Sequence, residues 1–193
     1  MKSLTWEQRI ANYEKVTGFP KGLFIAGDNR VIGLWIMGND YRVKSKFYGG
    51  YPAGYLKRIK ALFPDKEKPL HLFAGKVDTA VFPGVTVDIN PKLEPDIVDN
   101  AHTLEKVPLE DFDIVLADPA YSHEDTEHYG TPMVNRNTVM RRLGERLTGG
   151  CFIVWLDQVL PMYRKDTFCV DAHIGMVKST NHRFRVITIF RKL

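Results

Sequence analysis

Asp113-Ile-Val-Leu-Ala-Asp-Pro-Ala-Tyr121 decides how the chain is read. Ile114 to Ala117 form a short apolar run, as in a parallel strand covered on both faces. Asp118, Pro119, Ala120 and Tyr121 then place a carboxylate, a rigid bend and an aromatic ring at the strand's C-terminal end. In open α/β sheets ligands bind at that edge. A carboxylate and a ring held there could grip a flat group carrying an amino function.

Outward from this stretch the chain alternates strand and helix. Leu70 to Phe73 reads as a strand, followed by Ala74-Gly75-Lys76. Val85 to Asp88 is a second strand, ending in an acid and then Asn90-Pro91. Ile97 to Asn100 is a third short strand or turn, and Cys151 to Leu156 a fifth strand after Ile114–Ala117. Thr138 to Leu147 is a helix, closed by Gly149-Gly150. Phe168 to Val177 and Phe184 to Phe190 look like a terminal antiparallel pair. The alternation predicts a mostly parallel sheet.

Upstream, Ser3 to Val16 reads as a helix capped by Ser3 or Thr5. Leu23–Ala26 and Val31–Met37, split by Gly27-Asp28-Asn29, read as a hairpin. This extension, residues 1 to 45, is either a lid or a packing appendage. Lys46 to Pro52 is a loop rich in aromatics and glycine, in which Tyr48 and Tyr51 could stack on a base. Tyr55 to Phe63 is a helix stopped by Pro64. No repeat or linker divides the chain, so residues 1 to 193 are read as one domain.

The composition is globular, with 44% apolar and 26% charged residues. A net charge of +4 suits an anionic partner without demanding one. Cys151 and Cys169 read as reduced thiols of a cytosolic protein, which makes a cytoplasmic setting the expectation. No apolar run is long enough to span a membrane. Neither a P-loop nor a GxGxxG is present. A cofactor lacking a pyrophosphate is therefore favoured over a dinucleotide. Asp88 has two readings: a ribose ligand, or a cap for the turn that follows.

Phe73-Ala74-Gly75, Asp88-Ile-Asn-Pro91, Asp99 and Asp118-Pro119-Ala120-Tyr121 together resemble class I S-adenosylmethionine-dependent methyltransferases. More narrowly, they resemble the DNA methyltransferases that act on amino groups, adenine N6 or cytosine N4. The resemblance covers roughly residues 46 to 190. It implies an α/β Rossmann-like fold, with a mostly parallel seven-stranded sheet and a terminal antiparallel strand. The N-terminal helix and hairpin would be added to that core.

The resemblance also implies S-adenosyl-L-methionine as cofactor. Phe73, Ala74 and Gly75 would line its methionine part. Asp88 would hold the ribose, Ile89 would face the adenine, and Asp99 and Ala101 would lie near the adenine. Tyr48, Tyr51 and Asp118 would complete the cofactor site. Asp118, Pro119 and Tyr121 would be catalytic, with Tyr121 stacking on a base flipped from the helix. Tyr129, Asn135, Arg136, His182 and Arg183 would meet the substrate. Arg141, Arg142 and Arg146, with the basic turn Lys178 to Arg185, could touch phosphates.

The chain departs from the family at three points. Ala120 replaces a second proline, Lys76-Val77 replaces a glycine of the cofactor turn, and no segment is large enough for a target-recognition domain. His123, Glu124 and His128 lack the HExxH spacing, so no metal is expected. The preferred substrate is DNA adenine N6, with a partner protein or a homodimer completing recognition. The alternatives are an RNA base (guanine N2 or adenine N6) and a non-catalytic partner that binds nucleic acid.

Overall fold

A computed structural model of the protein describes residues 3–38, 51–120, 126, 132–179 and 184–193. The order along the chain is α1 (Trp6–Thr17), β1 (Leu23–Ile25), β2 (Val31–Met37), α2 (Tyr55–Leu62), β3 (Pro69–Leu72), β4 (Val85–Asp88), β5 (Ile97–Val98), β6 (Ile114–Ala117), α3 (Arg136–Arg146), β7 (Phe152–Asp157), β8 (Phe168–Lys178) and β9 (Phe184–Lys192). All nine strands join one sheet in the order β1-β2-β8-β9-β7-β6-β3-β4-β5. β3, β4, β5, β6 and β7 run parallel, and β9 enters antiparallel between β7 and β8.

The seven-stranded expectation is corrected here. The N-terminal hairpin is part of the sheet: β2 pairs in parallel with β8 from Val31↔Ala172 to Met37↔Lys178. Its sequence explains why. Val31, Trp35 and Met37 are buried on one face, while Ile32, Leu34 and Ile36 project from the other. A strand apolar on both faces belongs inside a sheet.

The core lies in two layers. On one face α1 and α2 send Tyr13, Tyr55, Ile59 and Leu62 against Trp35, Ile114, Leu116 and Val154. On the other, Val139, Met140 and Leu143 of α3 pack on Leu72, Val115, Ala117 and Trp155. The period of two within β6 divides Ile114 and Leu116 from Val115 and Ala117, one pair to each layer.

Local signals set the ends of the elements. Thr5 and Gln8 form a reciprocal capping box at the start of α1, and Gly18 (φ 72°) ends it. Asn135 caps α3, its Oδ1 accepting from Thr138 N at 3.1 Å. Arg146 donates to the carbonyls of Leu104 (2.6 Å) and Val107 (2.7 Å), fixing the loop before β6. Arg142 bonds Glu145 and the His102 carbonyl. These two guanidiniums help hold the fold together. Among the described residues no helix is long and apolar enough to cross a membrane.

Candidate active site

β4 leaves β3 on one side and β6 joins it on the other. The crevice at the C-terminal ends of β3 and β6 is thus the switch point where α/β sheets bind ligands. Four carboxylates cap the strands along this edge: Asp99 after β5, Asp88 at the end of β4, Asp118 after β6 and Asp157 at the end of β7.

Asp88 bridges two loops. Its Oδ2 accepts from Gly75 N (3.0 Å) and its Oδ1 from Asn90 N (2.9 Å). Each oxygen keeps a lone pair free for a further donor. The short helical turn that follows is capped by Asn90, whose Oδ1 accepts from Lys92 N. Ala74 is buried and donates to the Val87 carbonyl at 3.1 Å, so the turn after β3 lies against the end of β4. Phe73 occupies the left-handed region (φ 60°), uncommon for a bulky residue and costing about 1–3 kcal/mol. Its ring meets Trp155 edge-on at 6.3 Å. Gly75 also has positive φ, at 56°. Ile89 is exposed beside Asp88.

Asp99 is nearly buried and shapes its own loop, accepting from Asn100 N (2.7 Å) and Lys106 N (2.8 Å). Ala101 follows it, also nearly buried. Pro119 is buried and Ala120 half-buried.

Tyr51 reaches the same edge from the α2 side. Its hydroxyl donates to the Leu116 carbonyl at 3.5 Å, and its ring stacks on Tyr55 at 4.9 Å. One ring face is therefore taken internally, which limits the expected stacking on a ligand. Burial first, and then the negative charge of Asp118, pushes the Tyr51 phenol well above its usual range. Tyr55 is raised by burial, then by Tyr51 and Asp118. Both phenols stay protonated at neutral pH.

Sequence reasoning missed Asp157. It is almost fully buried, and it accepts from Arg136 Nε (2.6 Å) and Nη2 (3.1 Å), Trp155 Nε1 (3.1 Å) and Gln158 N (2.7 Å). Arg136 Nη2 also reaches the Ala120 carbonyl at 3.4 Å. Arg136 thus braces the loop after β6. Asn135 is likewise occupied as the cap of α3, and its N–H donates to His102 Nε2 at 2.8 Å. The available signal for Asp157 was an acid closing the apolar run Phe152–Leu156. Tyr48, Tyr121, Tyr129, His182 and Arg183 lie outside the described residues.

A cavity of about 1210 Å³ opens at the opposite edge of the sheet, among Lys66, Lys68, Asp113, Cys151 and Arg191. Two of its carboxylates are engaged within the fold: Asp113 accepts from the N–H groups of Glu67 and Lys68, and Asp171 from Arg191. The strand ends carrying Asp88 and Asp118, not this cavity, have the chemistry of a site.

The overall fold is similar to that of TrmN from Thermus thermophilus. The two structures superpose with a TM-score of 0.54 over 74% of this chain, at 14% identity. The chain has a Rossmann-like methyltransferase fold. It spans about half of TrmN, 49% of that chain. Looser similarity extends to the N-methyltransferase NodS from Bradyrhizobium japonicum WM9 (TM-score 0.48, 12% identity, 71% of this chain and 92% of that one). An rRNA methylase from Streptococcus thermophilus is similar at TM-score 0.43 and 10% identity, over 66% of this chain and 89% of that one. No protein-family model matches the chain, and no curated protein is significantly similar in sequence.

Proposed function

We propose that this methyltransferase fold uses S-adenosyl-L-methionine to methylate an exocyclic amino group of a nucleic-acid base, with adenine N6 of DNA as the preferred target. One observation carries the reading. Asp118-Pro119-Ala120 follows β6 at the switch point, on the same edge as the strand-end acid Asp88 and the turn that Asp88 holds through Gly75.

The residues present fit the cofactor. Asp88 is fixed by two backbone N–H groups and has lone pairs left for ribose hydroxyls. Exposed Ile89 offers an apolar surface to an adenine ring, with Asp99 and Ala101 on the neighbouring strand end. The positive φ of Phe73 and Gly75 turns the backbone sharply beside the space the methionine part would fill. Bound there, the cofactor supplies a methyl group on a positively charged sulfur.

The protein's task is then to make an amine nucleophilic. The lone pair of an exocyclic amine is delocalised into its base. Hydrogen bonds from the amine to the Asp118 carboxylate and the Pro119 carbonyl favour a pyramidal nitrogen with its lone pair directed at the methyl group. Transfer is mainly alignment, so positioning supplies much of the rate. Arg136 substitutes for the stiffness a second proline would give, holding the Ala120 carbonyl and anchored in turn on Asp157.

The test is calorimetric titration with S-adenosylmethionine on wild type and Asp88→Ala, with tritiated methyl transfer into matched DNA and RNA. Binding that is lost in Asp88→Ala, with label in DNA, supports the proposal. Label in RNA alone moves the substrate to an RNA base. No binding in the wild type favours the non-catalytic alternative.

A further inference from the structure

β7 and β8 are joined by residues 158–167, and this connection contains no helix. α3 and Tyr163 of this connection cover Phe168 and Phe190, at one end of β8 and β9, while the far end of that face, with β2 and β1, carries no layer among the described residues. The strand registers show which side chains stand there. Ile32 lies beside His173, Leu34 beside Gly175 and Ile36 beside Val177. Phe24 lies opposite Ile32, and Phe184 opposite Val177.

Phe24, Ile32, Leu34, Ile36 and Phe184 are between 46% and 66% exposed. They form a continuous patch. A Cβ placed on Gly175 would meet the Phe184 ring at 2.8 Å and Leu34 at 3.1 Å, so both side chains lie down over that glycine. The exposed apolar area comes to roughly 500 Å², at the upper end for a monomer and about the core of a standard interface, which buries ~800 Å² per partner.

We infer that this bare sheet face is the docking surface for a second copy of the chain, packed face to face across a two-fold axis. The inference stands independently of the proposed catalysis. Charge favours a like surface: in these rows from β1 to β9, His173 is the one ionisable side chain among the described residues, and the charges beside it, Arg30 and Asp28, are paired with each other. An isologous contact places each patch on itself, so a patch without paired like charges is self-compatible. With Arg30 paired to Asp28, the face is a poor match for a phosphate backbone. Two twisted sheets can approach to about 10 Å with their side chains interleaved.

Sedimentation equilibrium from about 1 to about 100 µM tests this on wild type, Leu34→Glu, Ile36→Glu and the control Val16→Glu on exposed α1. The expected result is a wild-type dimer that also persists in Val16→Glu. Leu34→Glu and Ile36→Glu should weaken it at least ~tenfold, with unchanged circular dichroism. A wild type that stays monomeric across the range overturns the inference, whether the face is bare in solution or covered by another protein. A dimer that survives both substitutions overturns it as well. If the glutamates prevent folding, Ile36→Ser, which adds no charge, gives the same reading.

Discussion

Arg136 holds Asp157 through two hydrogen bonds, Nε to Oδ2 at 2.6 Å and Nη2 to Oδ1 at 3.1 Å, and so ties the end of β7 to the loop after β6. The carboxylate is almost fully buried and the guanidinium mostly so. Replacing Asp157 takes away the carboxylate that accepts two of the Arg136 hydrogen bonds at a mostly buried site. Asp157→Asn should cost about 3–5 kcal/mol in urea unfolding. The double change Asp157→Leu with Arg136→Met should recover most of that loss, because apolar replacements of similar volume leave no buried charge. Arg136→Lys keeps the charge but loses the fork. If Asp118 positions an amine, Arg136→Lys should lower kcat about tenfold, with cofactor affinity nearly unchanged.

Arg9 is buried and reaches three elements. It donates to Asp65 twice (2.6 and 2.9 Å) and to the Leu62 carbonyl (3.0 Å), and it lies over the Phe63 and Phe152 rings. Arg9→Lys should destabilise by about 2 kcal/mol, as one point charge cannot replace the fork or the stacking. Burial pushes Asp65 up, but the Arg9 hydrogen bonds and charge outweigh it and leave the carboxyl below its usual range. Its contribution is therefore complete above the unfolded pKa of about 3.8 and lost as pH falls through the lower folded value. The acid limb of a stability–pH curve should flatten in Asp65→Asn.

His71 sits fully buried in β3, its Nε2 hydrogen-bonded to the Phe82 carbonyl at 2.9 Å, while Nδ1 has no partner among the described residues. Burial lowers its pKa, and the Phe82 bond and Asp96 offset this only in part. The unfolded chain thus takes up a proton first as pH falls below about 6.5, and stability drops through that window toward the folded value. Melting temperatures between pH 7.5 and pH 5 should fall more steeply for wild type than for His71→Gln. Parallel curves would assign the slope to other groups.

The Cys151 thiol is pushed up to about 12, mainly by burial. The thiolate is the reactive form. Cys151 should therefore resist Ellman's reagent at pH 8 in the folded protein and react on unfolding, as stopped-flow absorbance would show.

The strands that build the crevice were legible in the sequence. Val85–Asp88 and Ile114–Ala117 lie where the sequence placed them because both are short, largely buried runs closed by an acid. The sequence put Gly75 and Asp88 at neighbouring strand ends, but not the hydrogen bond between them, because Asp88 reads there only as a ribose ligand or a cap. Asp157 was not legible as a partner of Arg136: the residues are far apart in sequence, and an ion pair across a sheet edge leaves no periodic trace. Nor was the pairing of β2 with β8, since a two-faced apolar strand tells that it has neighbours but not which ones.

That same pairing constrains how the chain can fold. Val31 and Ala172 are neighbours in the sheet although about 140 residues separate them, and closing so long a loop delays the contact it permits. Until β8 exists, β2 has only β1 beside it, with apolar side chains on both of its faces. A nascent chain therefore carries an adhesive hairpin through most of its synthesis, and the last long strands to be made are what retire it.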